Sequence, residues 1–258
     1  MIRRPADRSL GIAKARQVAA ALGLSHPLQG SIDAIAFERG ALVVDRPING
    51  ARARLVKVSD QALIVVSDKL EGAARRFAIA HEIGHHELHA AQGSLDVCTG
   101  EDFRKRDTSK EGEANAFAAE LLMPRELVRP LCDVSRPTLG AGRRIADAFD
   151  ISLLAATIRF VELCEEKCAV VVCAKGRVEW AFGSSALDRP PRKGDPVQPQ
   201  SLAYDLFQGR PLRGEPEEVP ADAWLDGVSG DLLEHTMAGP AGSTISLLWV
   251  RDSDDDDD

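Results

Sequence analysis

Residues 77–89, with the sequence FAIAHEIGHHELH, contain the densest chemical signal in the chain. Apolar residues recur in this stretch at helical spacing, so we predict one helix over residues 71–90. On a helix, His81 and His85 are four residues apart and share a face, about one turn from each other. Their imidazoles can therefore bind one metal ion. Glu82, next to the first histidine, can act as a general base.

Zinc fits this donor set best, because a catalytic zinc site combines protein ligands with one open position for water. Here two neutral imidazoles would be joined by one oxygen ligand from elsewhere in the chain. Such a site lowers the pKa of the water to about 7 and polarises the scissile carbonyl, while Glu82 takes the proton. The apolar residues before His81 predict a buried helix, in which unpartnered polar side chains would be costly. The pattern therefore favours a metal site over unrelated surface histidines.

A third ligand is expected from a second predicted helix, residues 110–123, which contains two early glutamates. On that helix Glu111 shares a face with Asn115 and with apolar positions, whereas Glu113 shares its face with Glu120. We therefore prefer Glu111 as the ligand and keep Glu113 as the alternative. Asn115, one turn after Glu111, could orient a ligand histidine as a supporting residue.

Two further features lie close to these helices. His89 follows His85 by one turn and could line the cleft, although a histidine at a helix end is often only partly exposed. Cys98 lies in the segment between the two helices, and a thiolate is a good zinc ligand. Cys98 could therefore cap the metal as an inhibitory ligand, with an ordinary loop thiol as the alternative.

The motif HEIGHHELH, followed by KEGEANAFAAELLMP, resembles the ImmA/IrrE-type metallopeptidases over about residues 10–163. The resemblance implies that His81, His85 and Glu111 are the zinc ligands and that Glu82 is the catalytic glutamate. It also implies a protein substrate, a helix-turn-helix repressor that is encoded nearby. Cleavage would answer a stress or DNA-damage signal, and single-stranded DNA is the activator that the resemblance implies.

The element pattern predicts an α+β protein with two domains. We predict a mainly helical, zincin-like peptidase domain with a small sheet over residues 1–165. A smaller α/β domain follows at 166–250, and the longer members of the family imply that it is a GAF-like sensor. We predict that residues 251–258 form an acidic, disordered tail.

Several shorter elements follow from local patterns. Residues 53–66 and 168–182 are predicted to form β-hairpins, the second with its turn at Lys175-Gly176. Residues 124–165 favour two or three short helices. Residues 220–236 are also predicted to contain short helices, and residues 243–250 a closing strand.

Charge and composition restrict the partners of the chain. The net charge of the 258 residues is −8, but six aspartates lie within 252–258, so the rest is close to neutral. The whole molecule therefore has no general attraction for nucleic acid, although Arg104, Lys105, Arg106 and Lys110 form a local basic group. The sequence contains no run of about 18 apolar residues, which a membrane span would need. Its first residues lack the apolar core of a signal peptide. Together with five cysteines that form no CxxC pair, this predicts a cytoplasmic protein with no membrane partner.

The sequence therefore predicts a zinc-dependent endopeptidase that cleaves a specific transcriptional repressor. The alternative is a DNA- or ligand-responsive regulatory module in which the metal is only structural. An open coordination position would favour the enzyme, and a closed four-ligand site would favour the module.

Overall fold

The structure is a computed structural model that describes residues 8–58, 61–89, 97–98 and 110–251. The chain divides into two compact units. The first comprises Met1–Arg125 with Phe149–Ser152, and the second comprises Glu126–Ala148 with Leu153–Asp258. Both units mix helices with a β-sheet, so the fold is α+β, as predicted. Among the described residues, no helix is both long and apolar enough to cross a membrane.

In the part of the chain that the structure describes, the first unit combines four helices with a four-stranded sheet. The sheet order is β1-β3-β2-β4, with β1 parallel to β3 and the other pairs antiparallel. Its described elements are, in chain order, α1 Arg8–Ala21, α2 Ile32–Glu38, β1 Ala41–Arg46, β2 Ala53–Val58, β3 Gln61–Ser67, α3 Gly72–His89, β4 Val97–Cys98 and α4 Lys110–Leu122. The predicted hairpin of residues 53–66 is confirmed as β2 and β3.

Helix α3 lies at the centre of the first unit. Eight consecutive residues, 78–85, are buried, so the helix is enclosed on all sides over two turns. It contacts α1, α2, α4, β2 and β3. At its N-terminal end, Arg75 binds the carboxylates of Asp33 in α2 and Asp45 in β1, at 2.7 and 2.9 Å. The helix that contains the histidine motif is therefore held by the rest of the unit.

Two glycines allow helices to approach α4 closely. A Cβ atom on Gly84 of α3 would lie 3.1 Å from both the Cα of Ala114 and the ring of Phe117. A Cβ atom on Gly11 of α1 would lie 2.3 Å from the carbonyl oxygen of Glu113. The Cβ contact at Gly11 is shorter than real Cβ atoms show, and the contact at Gly84 is tight enough that its neighbours would have to move, so larger residues at either position would push α4 away. Gly84 thus sets the distance between the two helices that contain the candidate ligands.

The second unit contains a five-stranded antiparallel sheet with the order β6-β5-β9-β8-β7. Three helices precede the sheet in the chain, and one short helix follows β6 and precedes β7. The described elements are α5 Arg125–Cys132, α6 Leu139–Phe149, α7 Leu153–Leu163, β5 Lys167–Ala174, β6 Arg177–Gly183, α8 Leu202–Phe207, β7 Glu217–Pro220, β8 Asp231–Ala238 and β9 Ser243–Val250. Helix α7 packs on β5 and β6.

The hairpin predicted for residues 168–182 is confirmed as β5 and β6. Lys175 and Gly176 at its turn have positive φ angles of 52° and 70°, the combination that a tight two-residue hairpin requires. The prediction of short helices over residues 220–236 is wrong for most of that segment. Only residues 221–223 form a short 3₁₀ turn, and 231–238 form β8. Pairing with β7 and β9 decides this outcome, and a short apolar run does not reveal such pairing.

The boundary between the compact units differs from the predicted domain boundary near residue 165. Helices α5, α6 and α7 group with the following sheet, except for residues 149–152, which belong to the first unit. There Arg76 of α3 donates to the carbonyl oxygens of Phe149 and Asp150, at 2.9 and 2.8 Å. The acidic tail predicted for residues 251–258 lies outside the described residues, apart from Arg251.

Candidate metal centre

The structure brings His81, His85 and Glu111 together between α3 and α4. The Nε2 atoms of the two histidines are 3.0 Å apart. The Glu111 carboxylate lies 3.1 Å from His81 Nε2 and 3.3 Å from His85 Nε2. The histidines are fully buried, while the Glu111 side chain is 22% exposed. Three potential ligand atoms from two helices therefore converge on one point.

These distances fit a shared metal ion. Bonds of about 2.0–2.1 Å in a tetrahedral zinc site separate the ligand atoms by about 3.3 Å, close to the separations seen here. His81 Nδ1 lies 2.9 Å from Asn115 Oδ1, and donation to that oxygen leaves Nε2 as a lone pair. In that tautomer the Nε2 lone pair and the Glu111 carboxylate repel each other, and a proton or a metal ion between them removes the repulsion. The chemistry of the donor set therefore fits a divalent metal.

The electrostatics of Glu111 agree with this arrangement. Burial alone would raise the pKa of Glu111, but the hydrogen bonds and charges of His81 and His85 outweigh it and hold the pKa below its usual range. Glu111 is therefore present as a carboxylate, the form that binds a cation.

Glu82 is completely buried, on the turn of α3 that contains His81. The sequence predicts that Glu82 lies beside the metal as the general base, and this role stays a prediction. A glutamate in the buried stretch of α3 needs partners for its carboxylate, because an unpaired charge is costly to remove from water.

The neighbours of the two early α4 glutamates distinguish Glu111 from Glu113. Both side chains are largely buried, so burial does not separate them. Glu113 Oε2 lies 3.5 Å from His89 Nε2 instead of facing the histidine pair. Of the two alternatives left open by the sequence, the structure thus places Glu111 beside His81 and His85.

His89 is not a surface residue at the helix end, since its side chain is only 7% exposed. Its ring is tilted by 52° relative to the ring of His85, and the two ring centroids are 5.6 Å apart. Burial and the neighbouring His85 lower the pKa of His89, although Glu113 and a hydrogen bond to the Lys110 backbone act in the opposite direction. The sequence left open whether His89 lines the cleft or lies at the surface. In the structure its side chain is buried next to the candidate metal centre.

His86, the remaining histidine of the motif, has a different role. Its Nε2 donates to the carbonyl oxygen of Arg39 at the end of α2, at 2.9 Å. The next residue, Glu87, binds Arg39 and Lys14 at 2.6 and 3.4 Å. This part of α3 thus ties α1 and α2 to the central helix. Sequence reasoning missed the contact, because no local pattern marks a histidine that caps a distant helix.

Cys98 and the basic residues are described only in part. The backbone of Cys98 pairs with Ala53 of β2, and β2 packs on α3. The Cys98 side chain, and with it the predicted inhibitory contact, lies outside the described part of the structure. Arg104, Lys105 and Arg106 also lie outside the described residues, whereas Lys110 begins α4.

Comparison with known proteins gives a family match, a curated relative and solved structures of similar fold. Residues 37–161 match the peptidase family described as the IrrE N-terminal-like domain. The radiation response metalloprotease IrrE of Deinococcus deserti is 28% identical over 166 residues, which cover 64% of this chain and 57% of that protein. The chain thus spans little more than half the length of this curated relative.

A solved structure shares the fold. The Mycobacterium tuberculosis transcriptional regulator superimposes with a TM-score of 0.62 and 17% identity, over 93% of this chain and 76% of that chain. At this identity the likeness concerns the fold alone. The family match is more informative about the site, since residues 37–161 include all of α3 and α4.

Proposed function

We propose that this chain, which belongs to the ImmA/IrrE-type peptidases, is a cytoplasmic, zinc-dependent endopeptidase that cleaves a transcriptional repressor. The observation that carries the proposal is the convergence of His81 Nε2, His85 Nε2 and the Glu111 carboxylate within 3.3 Å of one another. The family match and the metalloprotease relative give independent support.

His81, His85 and Glu111 would hold the ion. A zinc ion bound there supplies a Lewis acid that polarises the scissile carbonyl and makes the attacking water more acidic. Three protein ligands leave a fourth position for water and substrate, as in catalytic rather than structural zinc sites. We assign Glu82 as the general base, which accepts a proton from the attacking water and returns it to the leaving amine.

Asn115 is proposed to orient His81. Its side-chain oxygen accepts the Nδ1 proton of His81, which fixes the ring and directs the Nε2 lone pair towards Glu111 and His85. Such outer contacts select the tautomer of a ligand histidine and strengthen its basicity.

The proposed substrate is a helix-turn-helix repressor encoded beside this gene, and its cleavage would release stress or defence genes. The relative of Deinococcus deserti is named a radiation response metalloprotease, which supports a link to DNA damage. Single-stranded DNA is the proposed activator, and the basic residues 104–106 and Lys110 are the proposed contact.

The second unit is proposed to be a GAF-like sensor. Its five-stranded antiparallel sheet has apolar side chains on one face that pack under α8 and the 3₁₀ turn, an arrangement suited to a small regulatory domain. The domain limits of 1–165 and 166–250 remain predictions, and the compact units suggest that α5 to α7 also support the sheet.

Cys98 is proposed as an inhibitory ligand that closes the fourth metal position. Its strand lies beside β2, which packs on the helix that contains both histidines. Replacement of Cys98 by Ser should then raise the cleavage rate at equal zinc content, and an unchanged rate would remove the latch from the proposal.

One preparation of the full chain can test the proposed function. Elemental analysis should find one zinc per chain, and the neighbouring repressor should be cleaved faster when single-stranded DNA is added. Cleavage should disappear in Glu82→Gln. Zinc without cleavage, in wild-type and Cys98→Ser protein alike, would favour the regulatory module with a structural metal. A protein without zinc would contradict the metal centre itself.

A further inference from the structure

His89 is a buried histidine that the proposed mechanism does not use. Its side chain is 93% buried, and in the described part of the chain its Nε2 atom is shielded from solvent without a hydrogen bond. A buried imidazole adjacent to a metal centre needs a structural or functional reason, because its polar atoms are costly to remove from water.

The contacts of His89 lie on the first turn of α4. The ring donates a hydrogen bond to the backbone carbonyl oxygen of Lys110, a contact that favours the protonated ring and so raises the pKa of His89. The Nε2 atom faces Glu113 Oε2 at 3.5 Å, within ion-pair reach. Lys110 and Glu113 lie on either side of Glu111 in the sequence.

We infer that His89 is a positioning residue for the candidate ligand Glu111, because it holds the turn of α4 that contains this ligand through Lys110 and Glu113. The inference rests on the proposed metal centre and deepens it. It also assigns a role to Glu113, the acid that is not directed at the histidine pair.

Helix geometry explains why such a clamp matters. The Glu111 carboxylate must lie about 3 Å from both histidine nitrogens. Glu111 lies in the first turn of α4, where the backbone N–H groups have no partners within the helix. A small rotation of that turn about the helix axis would move the carboxylate away from His81 and His85. His89 is on α3, the helix of both histidine ligands, so it couples the third ligand directly to the first two.

The experiment measures zinc affinity of the full chain by competition with a chromophoric chelator, and the visible absorption of the protein loaded with Co²⁺. In His89→Leu, zinc affinity should fall about tenfold and the cobalt bands should shift, since loss of an outer contact typically costs about 10–100-fold in metal affinity. His89→Asn keeps an N–H donor near the position of Nδ1, the ring nitrogen left for the Lys110 carbonyl because Nε2 makes no hydrogen bond, and should recover most of the affinity and the wild-type spectrum.

His86→Leu is the matched control. It replaces a partly buried histidine of the same helix, whose ring contacts the Arg39 carbonyl instead of α4. It should lower thermal stability while leaving zinc affinity within about twofold of wild type. A general disturbance of α3 would lower affinity in this control as well, and that result would overturn the specific role of His89.

Glu113→Gln keeps the inference testable if His89→Leu does not fold. It removes only the charge that faces His89 and should weaken zinc binding a few-fold, with a smaller cobalt shift. Unchanged affinity and spectrum in the folded variants would overturn the clamp, while the proposed peptidase function would stand. Wild-type protein that binds no zinc would overturn both proposals, and wild-type protein that binds zinc without cleaving would overturn only the function.

Discussion

Each compact unit contains a glutamate that is removed from water, and the two carboxylates have opposite surroundings. Glu111 in α4 faces the Nε2 atoms of His81 and His85. The other ring nitrogen of His81, Nδ1, contacts Asn115. Glu234 in β8 is fully buried, and its carboxylate accepts hydrogen bonds from protein donors.

Four protein groups donate to Glu234. Its carboxylate accepts the backbone N–H groups of Leu202 and Ala203 at the start of α8, at 3.0 and 2.9 Å. The Trp224 indole and the Thr236 hydroxyl donate at 2.8 and 2.6 Å. Burial raises the pKa of Glu234, and these hydrogen bonds offset part of that shift.

The comparison shows how a structural carboxylate differs from a ligand. At Glu234 the protein itself supplies each hydrogen-bond donor, so the group links α8 and the 3₁₀ turn to the sheet. At Glu111 the facing groups are two imidazole nitrogens whose lone pairs can bind a metal ion together with the carboxylate. The predictions below test this difference, from the largest expected effect to the smallest.

Glu82→Gln should have the largest effect on cleavage. Loss of the general base should lower the cleavage rate by about 10²–10⁴-fold. Zinc content should remain one per chain, because the ligands are unchanged. A time course of repressor cleavage with equal zinc loading measures this, and normal cleavage would mean that Glu82 is not the base.

Glu111→Ala should remove the metal. Zinc affinity should fall by more than about 100-fold, since even the loss of an outer partner costs about 10–100-fold. Chelator competition measures the affinity, and Glu113→Ala is the matched control on the same turn. A greater loss in Glu113→Ala than in Glu111→Ala would reverse the assignment of the third ligand.

Asn115→Ala should weaken zinc binding by about 10–100-fold, because the His81 ring loses the acceptor that fixes its tautomer. Asn115→Asp keeps an acceptor oxygen and should bind zinc nearly as well as wild type. Titration of the metal-free protein followed by calorimetry compares the two variants. Equal loss in both would show that the contact with His81 does not matter.

Glu234→Gln should change stability and leave the metal centre unaffected. The amide N–H₂ group would face donors at one side of the side chain, at a cost of about 1–3 kcal/mol in the free energy of unfolding. Urea unfolding measures this loss. A matching drop in zinc affinity would contradict the view that the Glu234 network is purely a structural link within its own unit.

Local sequence signals predicted much of the fold in both units. Helices α3 and α4, the β2–β3 hairpin and the β5–β6 turn at Lys175-Gly176 depend on hydrophobic period and turn chemistry, which neighbouring residues determine. Strand β8 was not predicted from local sequence patterns. Its residues 231–238 become a strand through pairing with β7 and β9, and long-range pairing leaves no local pattern.

The candidate site shows the same division between local and long-range information. The spacing of His81 and His85 is enough to place both imidazoles on one face, because the helical repeat is local. The contact between His86 and the Arg39 carbonyl has no such signal, since the two residues are distant in sequence.

The sequence by itself determined the two-histidine motif, the adjacent Glu82 and a second helix that offers two acids. Only the tertiary structure decided that Glu111 faces the histidines, that Glu113 faces His89, and that His89 is buried. The reason is that the rotation of α4 about its own axis depends on how it packs against α3. That packing is set where the backbone of Gly84 meets Ala114 and Phe117, residues about 30 positions away in the chain.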